Sequence, residues 1–331
     1  MGTHRDRPIF ILGCPRSGTT LLQLMLHAHP RIAIPPENRF VLPVYTGRDQ
    51  FGDLREAENR RKVAAAIIGT KKQSTQFRDF RLKPDDVVEL VVAAPPTVGS
   101  ALAAVFRAYA ERFGKPRWGD KRPAYHHYLP FVRQMFPDAQ FIQVVRDGRA
   151  CVASLKRMPW WEYGTYGAVA EWAMAFDNCR RYARGLPSDT FHQIRYEDLV
   201  ADPHGELSKL CVFLGEEFDD AMTTPKEVAQ IAVPKFKKWH TQTHADLSDE
   251  SVARWQQELE PWEIQLCETV LGRRLRAYGY ELTGTGRAPA SHLAAYARTM
   301  YSRRQAVARR KIRDRLTRLR HPAPVTDQTD G

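Results

Sequence analysis

Residues 9–26 read IFILGCPRSGTTLLQLML. A short apolar run closed by Gly13 predicts a buried strand. The near-continuous apolar series Leu21, Leu22, Leu24, Met25, Leu26, stopped by Pro30, predicts a helix from Thr19 to His29. Between them, Gly13 to Thr20 keeps the glycine spacing of a phosphate-binding P-loop, G-x-x-x-x-G-K-[ST], but Thr19 stands where the lysine belongs. In CPRSGTT the backbone N–H groups of a loop feeding a helix N-terminus would converge on an anion, and the helix dipole would add to them. Arg16 can fork two oxygens. Ser17, Thr19 and Thr20 offer hydroxyls, and Gly18 allows close backbone approach. Without the lysine, hydrolysis of a nucleoside triphosphate is disfavoured, because lysine and magnesium there neutralise the γ-phosphoryl group.

Further along, FIQVV (141–145) is a second buried strand followed at once by the helix start RDGRACVASLKR, and TFHQIRYEDLV (190–200) has the pattern of a third strand and turn. Strands alternating with helices predict an α/β domain with a P-loop-like, mostly parallel sheet flanked by helices. Residues 47–118 are charged and helix-rich, a helical insertion within a domain spanning 1–283. Residues 284–331 form a basic C-terminal extension, expected to be partly disordered.

The chain has 331 residues, 43% of them hydrophobic, enough for a substantial core. No apolar run reaches the ~18–20 residues of a membrane span, and the N-terminal apolar run is too short for a signal segment. Five scattered cysteines without a C-x-x-C suggest a reduced, cytoplasmic setting and no metal. Of the net charge of +12, residues 287–331 carry +8, so a nucleic-acid-binding core is not called for. The basic stretch YSRRQAVARRKIRDRLTRLR suits peripheral contact with an anionic membrane, an acidic partner, or a solvated arm.

Two motifs in order carry a resemblance. PRSGTTLL resembles the 5′-phosphosulfate loop, and VVRDGRACVASLKR the 3′-phosphate motif, of sulfotransferases that use 3′-phosphoadenosine-5′-phosphosulfate (PAPS), with the tyrosylprotein sulfotransferases and their bacterial relatives the nearest in motif. The likeness covers 8–39, 119–157 and 195–215. It implies PAPS as sulfuryl donor with no metal required, a hydroxyl acceptor, and a sulfate ester and adenosine 3′,5′-bisphosphate as products; the sequence does not give the acceptor, for which sugar, lipid, polyketide-like natural product and protein tyrosine stay open, a small molecule, lipid or glycan being preferred. Arg146 and Ser154, eight residues apart, would hold the 3′-phosphate, with Arg157 or Lys156 also reaching it and Tyr196 at the nucleotide. Glu37, in IPPENRF with Arg39 beside it, would be the general base. Arg16 and Lys121, in WGDKRPAYHH, would stabilise the leaving phosphate oxygen.

From the residues alone, Glu37 is equally a surface carboxylate or an ion-pair partner of Arg39. His126 and His127 are rival bases, and Arg149 is either solvated or a ligand. Trp160, Trp161 and Trp172 are core or stacking residues. A loop closing over the nucleotide would draw on Lys235, Lys237, Lys238, His240 or Thr241. The rival function is a P-loop kinase or NTPase with a degenerate loop.

Overall fold

The computed structural model describes residues 7–72, 75–224, 254–320 and 325–326. Its main sheet has five parallel strands in the order β2-β5-β1-β6-β7: β1 Ile9–Gly13, β2 Ile32–Ala33, β5 Arg117–Lys121, β6 Gln140–Val145 and β7 Phe191–Arg195. β1 is central, and every residue of it is buried. Its side chains alternate between two cores, as a pleated strand requires. Phe10 and Leu12 join Phe106, Trp118 and Phe141, where the Phe106 and Trp118 rings stack at 4.8 Å. Ile9 and Ile11 face Leu22 and Met25 of α1 (Thr19–Ala28).

β5 was not legible as a strand, because RWGDK is mostly polar. Its charges are buried nonetheless, each with partners. Arg117 donates to the carbonyls of Arg7 (2.9 Å) and Leu214 (2.8 Å), to Glu216 (3.1 Å) and to Gln140. Fully satisfied, a buried guanidinium is tolerated in a sheet; with one partner removed it would be costly. Gly119 has no room for a side chain, since a Cβ there would lie 2.8 Å from the Ile9 carbonyl on the adjacent strand.

Residues 47–118 contribute α3 (Ala57–Ile68), α4 (Pro84–Ala93) and α5 (Val98–Glu111), plus a small antiparallel pair, β3 (Lys71–Lys72) and β4 (Thr75–Gln76). These helices and α2 (Val41–Thr46) pack on the Phe10 face of the sheet. α6 (Leu129–Met135) leads into β6, while α9 (Tyr196–Ala201) and α10 (Pro203–Leu214) follow β7. A separate apolar cluster joins α7 (Gly148–Lys156), α8 (Gly164–Ala183), α11 (Trp255–Glu258), α12 (Pro261–Arg276) and α13 (Ala290–Arg320). α13 is a 31-residue helix lying on α8. Polar contacts pin it: Arg303 donates to Glu171 of α8, and Asp314 accepts from Arg48 at 2.8 Å. Among the described residues, no helix is long and apolar enough to cross a membrane.

Candidate active site

Each strand of the main sheet delivers a polar residue at its carboxyl end, the edge where open α/β sheets bind ligands. β1 leads to Arg16, β2 to Glu37, β5 ends on Lys121, β6 leads to Arg146 and β7 to Tyr196. β1, flanked by β5 and β6, marks the switch point between strands whose connections run in opposite directions.

The loop after β1 turns through two left-handed residues, Arg16 (φ 74°) and Gly18 (φ 100°). Gly18 caps α1 without any side-chain hydrogen bond, and no acid occupies the first turn, so the helix N-terminus keeps its donors for an outside acceptor. The Ser17 hydroxyl is fully buried and has no hydrogen-bond partner among the described residues. A buried hydroxyl without a partner, next to a helix N-terminus, suits an anionic oxygen. Gly18 is also required by packing: a Cβ would fall 2.3 Å from Cδ2 of Tyr196.

Three cations surround this loop. Arg16 donates from Nε to Ser154 Oγ at 3.0 Å. Arg146 donates to the Arg16 carbonyl at 3.3 Å and stacks 4.4 Å above the Tyr196 ring. Burial, then the neighbouring charges of Arg146 and Arg157, pull the Arg16 guanidinium down to about 10. Cations held this close would suit a multiply charged anion. Beside them lies an open surface depression lined by Arg146, Ser154, Arg157, Arg254, Trp255 and Glu258. These charges and the Ser17 hydroxyl fit a nucleotide with phosphates at both ends. Arg157 is partly exposed and paired with Glu258.

The base candidate lies on the other side of β1. Glu37 Oε2 accepts from Lys121 Nζ at 3.0 Å, and the same ammonium reaches Thr20 Oγ1 at 3.4 Å. A lysine from β5 thus lies beside the first turn of α1, next to a loop that carries none. A second link holds the Glu37 segment: Asp120 accepts from the Asn38 side chain at 2.6 Å, from the Lys121 backbone N–H at 2.8 Å and from the Tyr125 hydroxyl. Burial pushes the Asp120 carboxyl up to about 6, against those hydrogen bonds.

The rival bases are engaged elsewhere. His126 and His127 both bond Glu171 through Nε2, at 3.0 and 3.1 Å. Burial, with His127 alongside, pulls the His126 imidazole down to about 4. Arg149 is structural: it pairs with Asp147 and Glu268 at 2.7 Å each and stacks on Trp255. Asp147 accepts from the Arg149 N–H as a helix cap. Trp172 is buried, its indole N–H donating to the Arg146 carbonyl at 2.9 Å. The nucleotide-loop candidates Lys235, Lys237, Lys238, His240 and Thr241 lie outside the described residues. Sequence reasoning missed Asn38 and Asp120, although both adjoin motif residues. It also missed Arg254, Trp255 and Glu258, for which RWQQE carried only a basic–aromatic hint.

Comparison with known proteins bears on the family and the fold. The model of the family described as "Sulfotransferase family" matches residues 8–220. The chain is 23% identical over 290 residues to a protein-tyrosine sulfotransferase of Drosophila melanogaster, covering 84% of this chain and 52% of that protein. It is 26% identical over 291 residues to protein-tyrosine sulfotransferase 1 of Danio rerio, covering 84% and 74%. The chain thus spans about half the length of the fly relative. Its fold matches the solved sulfotransferase domain of a Synechococcus olefin synthase, with TM-score 0.59 and 26% identity over 85% of this chain and 98% of that one. With a parallel sheet, a lysine-free phosphate loop, and an Arg at the end of β6 paired with a Ser on the following helix, all within the matched span, the chain belongs to the sulfotransferase family.

Proposed function

We propose that the protein transfers the sulfuryl group of PAPS to a hydroxyl acceptor. The observation that carries this reading is the placement of Glu37, Lys121 and Thr20 on one side of the loop and of Arg16, Arg146, Ser154 and Arg157 on the other. The first group suits the reacting centre and the second the 3′-phosphate end of the donor, with Tyr196 against the nucleotide. Ser17, Gly18, Thr19 and Thr20 cradle the phosphosulfate.

Glu37 takes the proton of the acceptor hydroxyl. The acceptor oxygen forms a bond to sulfur as the bond from sulfur to the bridging oxygen breaks. That electron pair leaves on the 5′-phosphate, where Lys121, Arg16 and the loop N–H groups meet the growing charge. The products are a sulfate ester and adenosine 3′,5′-bisphosphate. The sulfuryl group carries less charge than a γ-phosphoryl group, so this reading needs no metal. The acceptor is a hydroxyl of a small molecule, lipid or glycan, or a protein tyrosine, and the names of the curated relatives support the last. The setting is cytoplasmic.

Thermal denaturation with adenosine 3′,5′-bisphosphate and with magnesium ATP tests the donor. At ~100 times Kd the bisphosphate should add about 2.7 kcal/mol of stability. Stabilisation by magnesium ATP with none from the bisphosphate would refute the reading.

A further inference from the structure

The inner and outer sides of α13 are chemically opposite. On the inner side, Arg303 reaches Glu171, Arg310 lies 4.4 Å above the Tyr128 ring, Asp314 meets Arg48, and Val307 packs in the apolar cluster of α8 and α12. On the outer side, Tyr301, Ile312, Leu316 and Leu319 are 65%, 60%, 46% and 73% exposed. At 3.6 residues per turn these four fall within about 60° of one another: Ile312, Leu316 and Leu319 within about 10 Å along the helix, and Tyr301 about 16 Å before them, with Gln305 and Ala308 between. Arg309, Arg313 and Arg320 flank the row on one side, and Arg304, Lys311 and Arg315 on the other, all exposed. The helix holds ten basic residues and one acid, and that acid, Asp314, is buried on the inner side.

We propose that this outer face docks on an anionic lipid bilayer, with the four apolar side chains entering the headgroup boundary and the flanking cations meeting anionic lipids. An isolated exposed leucine needs no explanation. An apolar row between two cationic margins is the pattern of a helix lying in the membrane interface. Charge complementarity selects the occupant. A second copy would bring six like charges against six, which opposes self-association. A nucleic acid would satisfy the cations and leave the apolar row in water. A bilayer containing acidic lipids satisfies both. The inner face is already held by ion pairs, so docking requires no unfolding of α13, and the arginines can lay their stems along the interface.

The test is co-sedimentation of the full chain with vesicles of phosphatidylcholine alone and with vesicles containing about one third phosphatidylglycerol. The protein should sediment with the acidic vesicles only, and high salt should release it. Arg309→Gln, Arg313→Gln and Arg315→Gln should each weaken binding about fivefold. The triple variant Ile312→Ser, Leu316→Ser, Leu319→Ser, which keeps every charge, should weaken it at least tenfold. Circular dichroism of both sets should match the parent, because the substituted side chains face away from the domain. Absent binding, equal binding to neutral vesicles, or binding untouched by the apolar triple variant would overturn the proposal. So would displacement of the protein from vesicles by duplex DNA with the triple variant still binding that DNA normally, or a parent dimer that the triple variant turns to monomer in light scattering.

Discussion

Glu258 is a carboxylate in the wall of a pocket that otherwise presents Arg146, Arg157, Arg254 and the Ser154 hydroxyl. Its partner is Arg157, and the two side chains are 42% and 22% exposed for arginine and glutamate. If the pocket takes the 3′-phosphate, Glu258 opposes binding twice: it occupies Arg157, and it repels the dianion. An exposed pair of this kind is worth at most ~1 kcal/mol. A dianion about 7 Å from a carboxylate in water, screened at physiological salt, adds roughly 0.5 kcal/mol. Glu258→Gln should therefore tighten adenosine 3′,5′-bisphosphate binding by about 1 kcal/mol, roughly fivefold. Arg157→Gln should weaken it by about 1.5–3 kcal/mol, the worth of a hydrogen bond to a charged group. The double variant should gain less from the glutamine than the parent does, because no arginine remains to be released. Isothermal calorimetry on the four proteins reads all three numbers. Unchanged affinity in both single variants would place the phosphate elsewhere and remove the pocket from the site.

Glu37→Gln should cut sulfuryl transfer by ~10²–10⁴-fold while bisphosphate affinity stays within about twofold; transfer of radiolabelled sulfate paired with calorimetry checks it, and full turnover would exclude Glu37 as the base. His27 is buried, and its Nδ1 accepts the Ile34 N–H at 3.0 Å. Burial, with Lys115 nearby, pulls its imidazole from 6.5 down to about 3. The unfolded chain binds that proton first, so the contribution is complete above the unfolded value and lost as pH falls from there toward the folded one. Lowering pH from about 7 to about 5 should cost about 2 kcal/mol through this group alone. Urea denaturation should show that loss shrinking in His27→Gln, and an identical loss in the variant would refute the assignment.

What the sequence made legible follows from where each signal resides. β1 and β6 are read from apolar runs, β7 from the strand-and-turn pattern of TFHQIRYEDLV, and the phosphate loop and the Arg146–Ser154 pair from spacing, because those features are local. β5 was hidden because RWGDK is stabilised by partners far along the chain, Glu216 and Leu214 on one side and Asn38 on the other. The two residues of β2 are too few to carry a period. Arg149 remained open until Glu268, 119 residues away, was seen to bond it. The helical character of 301–320 is local too, but its docking depends on Arg303, Arg310 and Asp314, whose polarity suggests solvent until Glu171, Tyr128 and Arg48 are brought to meet them.

The lysine that the phosphate loop lacks makes the same point at the level of chemistry. A lysine in the Thr19 position would start from the loop itself and follow the phosphates of a triphosphate. The ammonium here starts instead from the end of β5, touches Thr20 at 3.4 Å, and is held at 3.0 Å by Glu37, the residue proposed to take the acceptor's proton. One cation therefore adjoins both the helix N-terminus that would bind the leaving phosphate and the carboxylate that would activate the nucleophile. That arrangement fits an in-line transfer of a weakly charged group: negative charge leaves the carboxylate as it takes the proton and grows on the bridging oxygen as the sulfuryl group departs, within reach of the same ammonium. A loop lysine would serve only the second of these two places.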